Sequence, residues 1–276
     1  MSDAATFSGS ISNGHAPAAA APRGGGPVYE TARRYLDCGL SPFPIPANGT
    51  KEPKVKWKPF QDKPITHIEL QKHFFGVNCG IGIALGRVSG NAECIDFDDG
   101  SLFEPFAEEV NDLAPGLLDR VTIHRTPRLD GKHVIYRCDT IEGNQPLAQR
   151  WGEDKNGRPT KKPTIETRGQ GGYILMPGSA PKTHPSGKPY EHESGPLATS
   201  LATITPEERA IMFRVARSLN EVADDRDDPV PRTSGRGDST GLRPGSDFSQ
   251  RATWEEILEP HGWKKGVQER TYSGWD

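Results

Sequence analysis

Residues 79–100 read CGIGIALGRVSGNAECIDFDDG, and this stretch decides the fold class. Its first part alternates glycine with Ile81, Ile83 and Leu85, the pattern of a buried strand in which Gly80, Gly82 and Gly86 let another backbone come close. Its second part, residues 93–98, forms another strand, where side chains two apart share a face. Asp96 and Asp98 therefore project together, while Ile95 and Phe97 point into a core. Two carboxylates held side by side repel each other, and a cation normally neutralises them. Mg²⁺ or Mn²⁺ suits the pair, being hard and oxygen-preferring. A single D-x-D is common, however, and alone is better explained as a strand end running into an acidic loop.

Outward from this stretch the pattern stays strand-rich. Residues 121–126, 134–138 and 164–168 read as strands, and 173–176 as one that pairs back across the turn Gly169-Gln170-Gly171-Gly172. Helices are expected over 28–38, from near Thr66, over 102–113, and after Thr205, where Pro206 and Glu208 complete a capping box. Helices first and strands predominating later make an α+β (mixed α/β) chain. The 31 glycines and 25 prolines among 276 residues exclude a long-helix bundle. No apolar run of about 18 residues exists to span a bilayer.

Composition divides the chain. Residues 1–27 are mostly Ala, Gly, Ser and Pro and read as a disordered tail; 28–222 are long enough to bury a core and read as the main folded domain, ending in a helix over 206–222. Residues 223–247, with Asp224, Asp225, Asp227 and Asp228 followed by prolines and glycines, read as a linker, and 248–276 as a short appendage. The net charge of −3 is carried by the C-terminal part: residues 1–219 hold 26 basic and 25 acidic side chains. Within that near-neutral body Lys51, Lys54, Lys56, Lys58 and Lys63 face only Glu52 and Asp62, one local basic patch. Cys38, Cys79, Cys94 and Cys138 are widely spaced, which signals neither zinc nor disulfides and suits a reducing cytoplasm.

Two further features carry chemistry. Strand alternation puts Thr164, Glu166 and Arg168 on one face, presenting a third carboxylate with an arginine; three carboxylates can bridge two cations. His133 follows the turn Asp130-Gly131, with Arg125, Arg128 and Lys132 nearby, where an imidazole could donate to a phosphate oxygen.

In this order the three features resemble the primase-polymerase (Prim-Pol) domain of the archaeo-eukaryotic primase superfamily, of the type found in phage and plasmid replication proteins. Asp96 and Asp98 match its acidic strand motif, His133 its histidine motif after a T-P-x-x-G-like turn, and Glu166 its third acid. Arg168-Gly169, Gly171-Gly172-Tyr173 and Pro177-Gly178-Ser179 follow as they do in the family. Ala32, Tyr35, Gly39, Gly49, Lys51, Pro53 and Trp57 match the opening segments, and His184 to Tyr190 an H-x-x-G-x-x-Y hairpin. The likeness covers about residues 28–195. Glu166 stands where many relatives carry Asp, and residues 141–163 are a polar insertion of no assigned role.

The resemblance implies an RRM-like mixed-sheet core with a smaller N-terminal α/β unit, and a DNA-dependent primase/polymerase. Asp96, Asp98 and Glu166 would hold two Mg²⁺ or Mn²⁺ ions, with His133, Arg168, Lys132 and Arg125 on the incoming NTP or dNTP. The single-stranded DNA template would follow Lys51, Lys54, Lys56 and Trp57, although a tryptophan in such a loop more often anchors a core. A replicative helicase is a further implied partner; no G-x-x-x-x-G-K-[ST] loop follows, so it belongs either to a longer protein or to a separate chain. A non-catalytic origin- or single-strand-binding module and a D-x-D glycosyltransferase are the alternatives. The former has no use for three acids, and the latter none for His133 and Glu166 in these settings.

Overall fold

The computed structural model describes residues 24–222 and the backbone of 264–265 and 272–273. All but the last four residues of the expected tail lie outside the described residues, as do the linker of 223–247 and most of the appendage of 248–276. The chain divides into two compact units, Met1–Asp224 and Asp225–Asp276. In the second, Lys264–Lys265 pairs antiparallel with Tyr272–Ser273.

Local signals set the helices. Helix α1 (Pro27–Asp37) starts on Pro27 and turns Ala32 and Tyr35 inward. Thr66 caps α2 (His67–Phe74) and Thr205 caps α5 (Pro206–Ser218). Each threonine accepts from a glutamate N–H three residues on, and that glutamate's carboxylate takes the threonine N–H in return. Between them lie α3 (Phe103–Leu113) and the single turn α4 (Leu117–Arg120).

The strand over 92–97 becomes the middle of the larger sheet. β3 (Ala92–Phe97) lies between β5 (Lys132–Cys138) and β7 (Pro159–Arg168), antiparallel to both. Outside them are β6 (Pro146–Glu153) on one side and β4 (Thr122–Arg125), then β9 (Glu191–Ser194), on the other. β10 (Thr203–Ile204) adds a parallel pairing to β5, so the sheet is mixed. Alternation then sorts the side chains. Ile95, Phe97, Val134, Tyr136 and Ile165 bury against Phe106, Val110, Met212 and Val215 of α3 and α5. Ala92, Cys94 and Ile135 point the other way, into a second core with α1 and α2.

That second core rests on a small sheet of order β1-β2-β8, built from β1 (Ser41–Pro46), β2 (Cys79–Ala84) and β8 (Tyr173–Leu175). Pro42, Pro44 and Pro46 alternate along β1, an edge strand, where a missing N–H is tolerated. Gly82 faces Phe43, and a methyl group there would come within 2.7 Å of that ring.

One expectation is corrected. β8 does not pair back on β7; after the turn of 169–172 it crosses to β2, registering Gly82 with Leu175 and Ala84 with Tyr173. The smaller α/β unit thus takes its third strand from residues 173–175. Tyr173 packs edge-on against Phe43 and Trp57, and the apolar contact available in that sheet outweighs a local hairpin. The polar insertion, in turn, supplies β6 and the first half of β7, a ribbon turned at Asp154, whose carboxylate accepts from the N–H groups of Asn156 and Arg158.

Candidate active site

Register aligns the residues that the sequence scatters over 70 positions. Asp96 sits opposite Glu166 on β7 and opposite His133 on β5, so the three form one row across adjacent strands, on the face away from α3 and α5. Directly opposed residues have Cβ atoms about 5 Å apart, close enough for their charges to act on one another. His133 Nε2 is 3.5 Å from one Asp96 oxygen, and Arg168 Nε is 3.4 Å from the other. The Arg168 guanidinium also pairs with Glu166, two residues before it on the same face. One arginine thus counter-charges two carboxylates.

Asp98 lies just past the end of β3, its N–H donating to Thr164 O at 3.0 Å. The loop of 126–131 folds over it. Leu129 and Asp130 adopt left-handed backbone, and a methyl on Gly131 would fall 2.2 Å from Phe97 O, so glycine is required there. This turn delivers Arg128 Nη1 to the Asp98 carboxylate at 3.0 Å.

The electrostatics follow. Burial works to raise Asp96, but His133 and Arg168 outweigh it and hold its carboxyl below the usual range. Burial raises Asp98, and the negative charge of Asp96 adds to it. Glu166 is likewise raised by burial, with Asp96 and Asp98 adding against Arg168. A cluster with one firmly ionised acid and two driven toward protonation is short of positive charge.

These groups wall a cleft of about 160 Å³ that Asp96, Asp98, His133, Arg128, Arg168 and Lys51 share with His184 and Tyr190, the two ends of a loop. The Tyr190 ring lies nearly parallel to His133, centroids 6.0 Å apart, and His184 meets Tyr190 edge-on. Glu166 sits behind Arg168 rather than on the wall. Among the described residues no three His, Cys, Asp or Glu side chains converge as a metal cage. The reason is visible: Arg168 stands between Asp96 and Glu166, and Asp98 turns to Arg128. The donor chemistry nonetheless fits an oxygen-preferring divalent cation, which would take over the counter-charge now supplied by arginine.

Of the three bases near His133, only Arg128 reaches the cleft. Lys132 and Arg125 are register partners on the opposite face, because neighbours of His133 in a strand must point away from it. Lys132 pairs with Glu193 and lies 5.7 Å over the Phe103 ring; Arg125 pairs with Glu191. Both thus point away from His133 and from the cleft, where the sequence reading groups them with it. On the lysine loop, Lys51 lines the cleft, while Lys54 and Lys56 are exposed. Trp57 stacks on Phe43 at 5.3 Å and meets Tyr173 at 5.0 Å, a packing anchor. His184, Tyr190 and Thr126 line the cleft without having been assigned a role, though the H-x-x-G-x-x-Y pattern marks the first two.

The row extends outward to His124 on β4 and His192 on β9. His124 is 1% exposed and its Nδ1 has no hydrogen-bond partner. Burial, with His133 and His192 adding to it, pushes this imidazole down to about 3. An unfolded chain would protonate it near the ordinary value of about 6.5. Its contribution to stability is therefore complete above that value and is lost as pH falls toward 3. Between pH 7.5 and 5, denaturant unfolding should show a loss of about 2 kcal/mol from this group. His124→Phe should flatten that slope, and an unchanged slope would assign the proton elsewhere.

The chain is thus a two-sheet α+β domain that gathers acids, a histidine and arginines in one cleft. The chain belongs to the Prim-Pol family: the family described as bifunctional DNA primase/polymerase, N-terminal, matches residues 32–208, well over half its length. No curated protein matches the chain. Among the described residues no helix is long and apolar enough to cross a membrane.

Proposed function

We propose that this chain is a DNA-dependent primase/polymerase that joins nucleotides under the direction of a single-stranded template, serving phage or plasmid replication. The observation that carries the reading is the row Glu166–Asp96–His133 on three adjacent strands, with Asp98 beside it and basic groups at its rim. Asp96, Asp98 and Glu166 would hold two divalent ions. Bound there, Mg²⁺ or Mn²⁺ supplies the positive charge that an in-line phosphoryl displacement needs at its attacking and leaving oxygens.

The chain's own side chains do the positioning. His133, its ring lying along Tyr190, would offer an N–H to a triphosphate oxygen. Arg128 and Lys51 line the same cleft and would bind the remaining phosphate charge. Arg168, relieved of its carboxylates by the cations, would be available to a phosphate as well. Holding both reactants in one cleft removes most of the entropic part of the barrier. A replicative helicase is the partner that fits this activity. The acid row also argues against a purely binding module, since buried, mutually repelling carboxylates gain such a module nothing.

Incubation with a single-stranded template, labelled NTPs or dNTPs and Mn²⁺ should give template-dependent product; none with either nucleotide pool would overturn the reading. Independently, Mn²⁺ with a nucleoside triphosphate should raise the melting temperature of the wild type and fail to do so in Glu166→Ala. A shift that survives the substitution would count against the two-ion assignment.

A further inference from the structure

Beyond Gln149 and Pro163 the β6–β7 ribbon leaves the core. Leu147, Ala148 and Ile165 are its last residues in the large cluster, and most of the side chains over 150–162 are exposed or half-buried. A two-stranded ribbon with no core of its own is marginal in water, so its composition needs another explanation. Trp151 is 59% exposed at its outer part, with the ammonium of its register partner Lys161 lying 5.7 Å from the ring centroid. Beyond it, at the tip of the ribbon, Lys155 and Arg158 are exposed and form no ion pair among the described residues; Lys162, the register partner of Arg150, lies on the opposite face. Of the ribbon's two acids, Asp154 is engaged in the turn. An exposed aromatic ring on a ribbon tipped with exposed cations matches a chain of phosphates and flat bases.

The ribbon is also aimed. β7 runs from Lys161 to Glu166, about 17 Å at strand rise. At its base Arg150 bonds Asp99, the residue after Asp98, at 2.7 Å and reaches Glu221 at 3.2 Å. The exposed patch is therefore held at a fixed distance from the acid row. Trp57, by contrast, already spends a face on Phe43.

We infer that the β6–β7 ribbon is a binding arm for single-stranded DNA, with Trp151 stacking on a base and Lys155 and Arg158 contacting phosphates. This rests on the template-directed reading of the cleft, and it names the surface that carries the template outside it. The test uses the full chain and fluorescein-labelled single-stranded DNA, followed by anisotropy in chelator without nucleotide. Trp151→Ala should weaken binding roughly tenfold, and Trp151→Phe should restore most of it, which a merely structural role would not produce. Lys155→Ala/Arg158→Ala should lower the slope of log affinity against log salt by about 1.4. Circular dichroism confirms that each variant is folded. Unchanged affinity in Trp151→Ala together with an unchanged salt slope would overturn the inference, as would a ribbon that binds a protein partner while leaving DNA affinity intact. Because neither metal nor nucleotide is present, a chain inactive in transfer can still pass this test, and an active one can still fail it.

Discussion

Asp96→Asn should lower template-directed nucleotide transfer by on the order of a thousandfold while the chain still folds. The size follows from position. Asp96 is the one acid that faces both neighbours of the row, and it is the carboxylate its surroundings keep most firmly ionised. Losing one cation ligand forfeits several kcal/mol of transition-state charge stabilisation, and about 4 kcal/mol is a thousandfold in rate. The amide keeps the size of the carboxylate and its single oxygen can still accept from one of His133 and Arg168, so the volume packed against β3 is preserved. Single-turnover transfer with saturating Mn²⁺ and nucleotide is the measurement, with circular dichroism as the control. Activity within tenfold of the wild type would remove Asp96 from the chemistry.

The second large effect concerns stability and lies on the other face of the same strand. Glu93 is fully buried, and its carboxylate accepts from Arg209 Nε at 2.6 Å, Arg209 Nη2 at 2.9 Å and the Tyr136 hydroxyl at 2.8 Å. Arg209 also lies 4.0 Å over the Phe213 ring. This bidentate pair ties α5 to the central strand that carries Asp96. Arg209→Met should destabilise the domain by about 3 to 5 kcal/mol, because it leaves a buried carboxylate without its counter-charge. For a domain of this size that is a fall of roughly 6 to 20 °C in melting temperature. Glu93→Met/Arg209→Met should cost less than the sum of the single changes, since the double variant buries no unpaired charge. A single-variant loss under about 3 °C would mean that water reaches the pair.

The two carboxylate clusters were not equally legible. Asp96 and Asp98 announce themselves by alternation, and Glu166 and His133 by the turn residues beside them. Glu93 reads only as one more polar residue at the start of a strand. Nothing local signals its partner Arg209, which lies 116 residues away on the Thr205-capped helix. Long-range pairs of this kind leave no periodic trace. Lys132 and Arg125 show the opposite failure: proximity in sequence to His133 suggested a shared role, yet strand alternation turns both to the opposite face and to the β9 glutamates. The pleat could have ruled them out beforehand. Arg128 escapes that rule because it sits in the turn rather than on the strand.

By itself the sequence determined whatever depends on a few neighbouring residues. The capped helices, the prolines alternating along the edge strand β1, the glycines of β2 and the face on which Asp96 must lie are all short-range consequences of backbone geometry and hydrogen bonding. Only the tertiary structure decided which strands lie together and in what register. The register that puts Glu166, Asp96 and His133 in one row, the crossing of β8 to the small sheet and the pairing of Arg168 with two acids all depend on residues far apart in the chain. Their arrangement is chosen by burying both faces of the larger sheet at once, a condition that no local stretch of sequence contains.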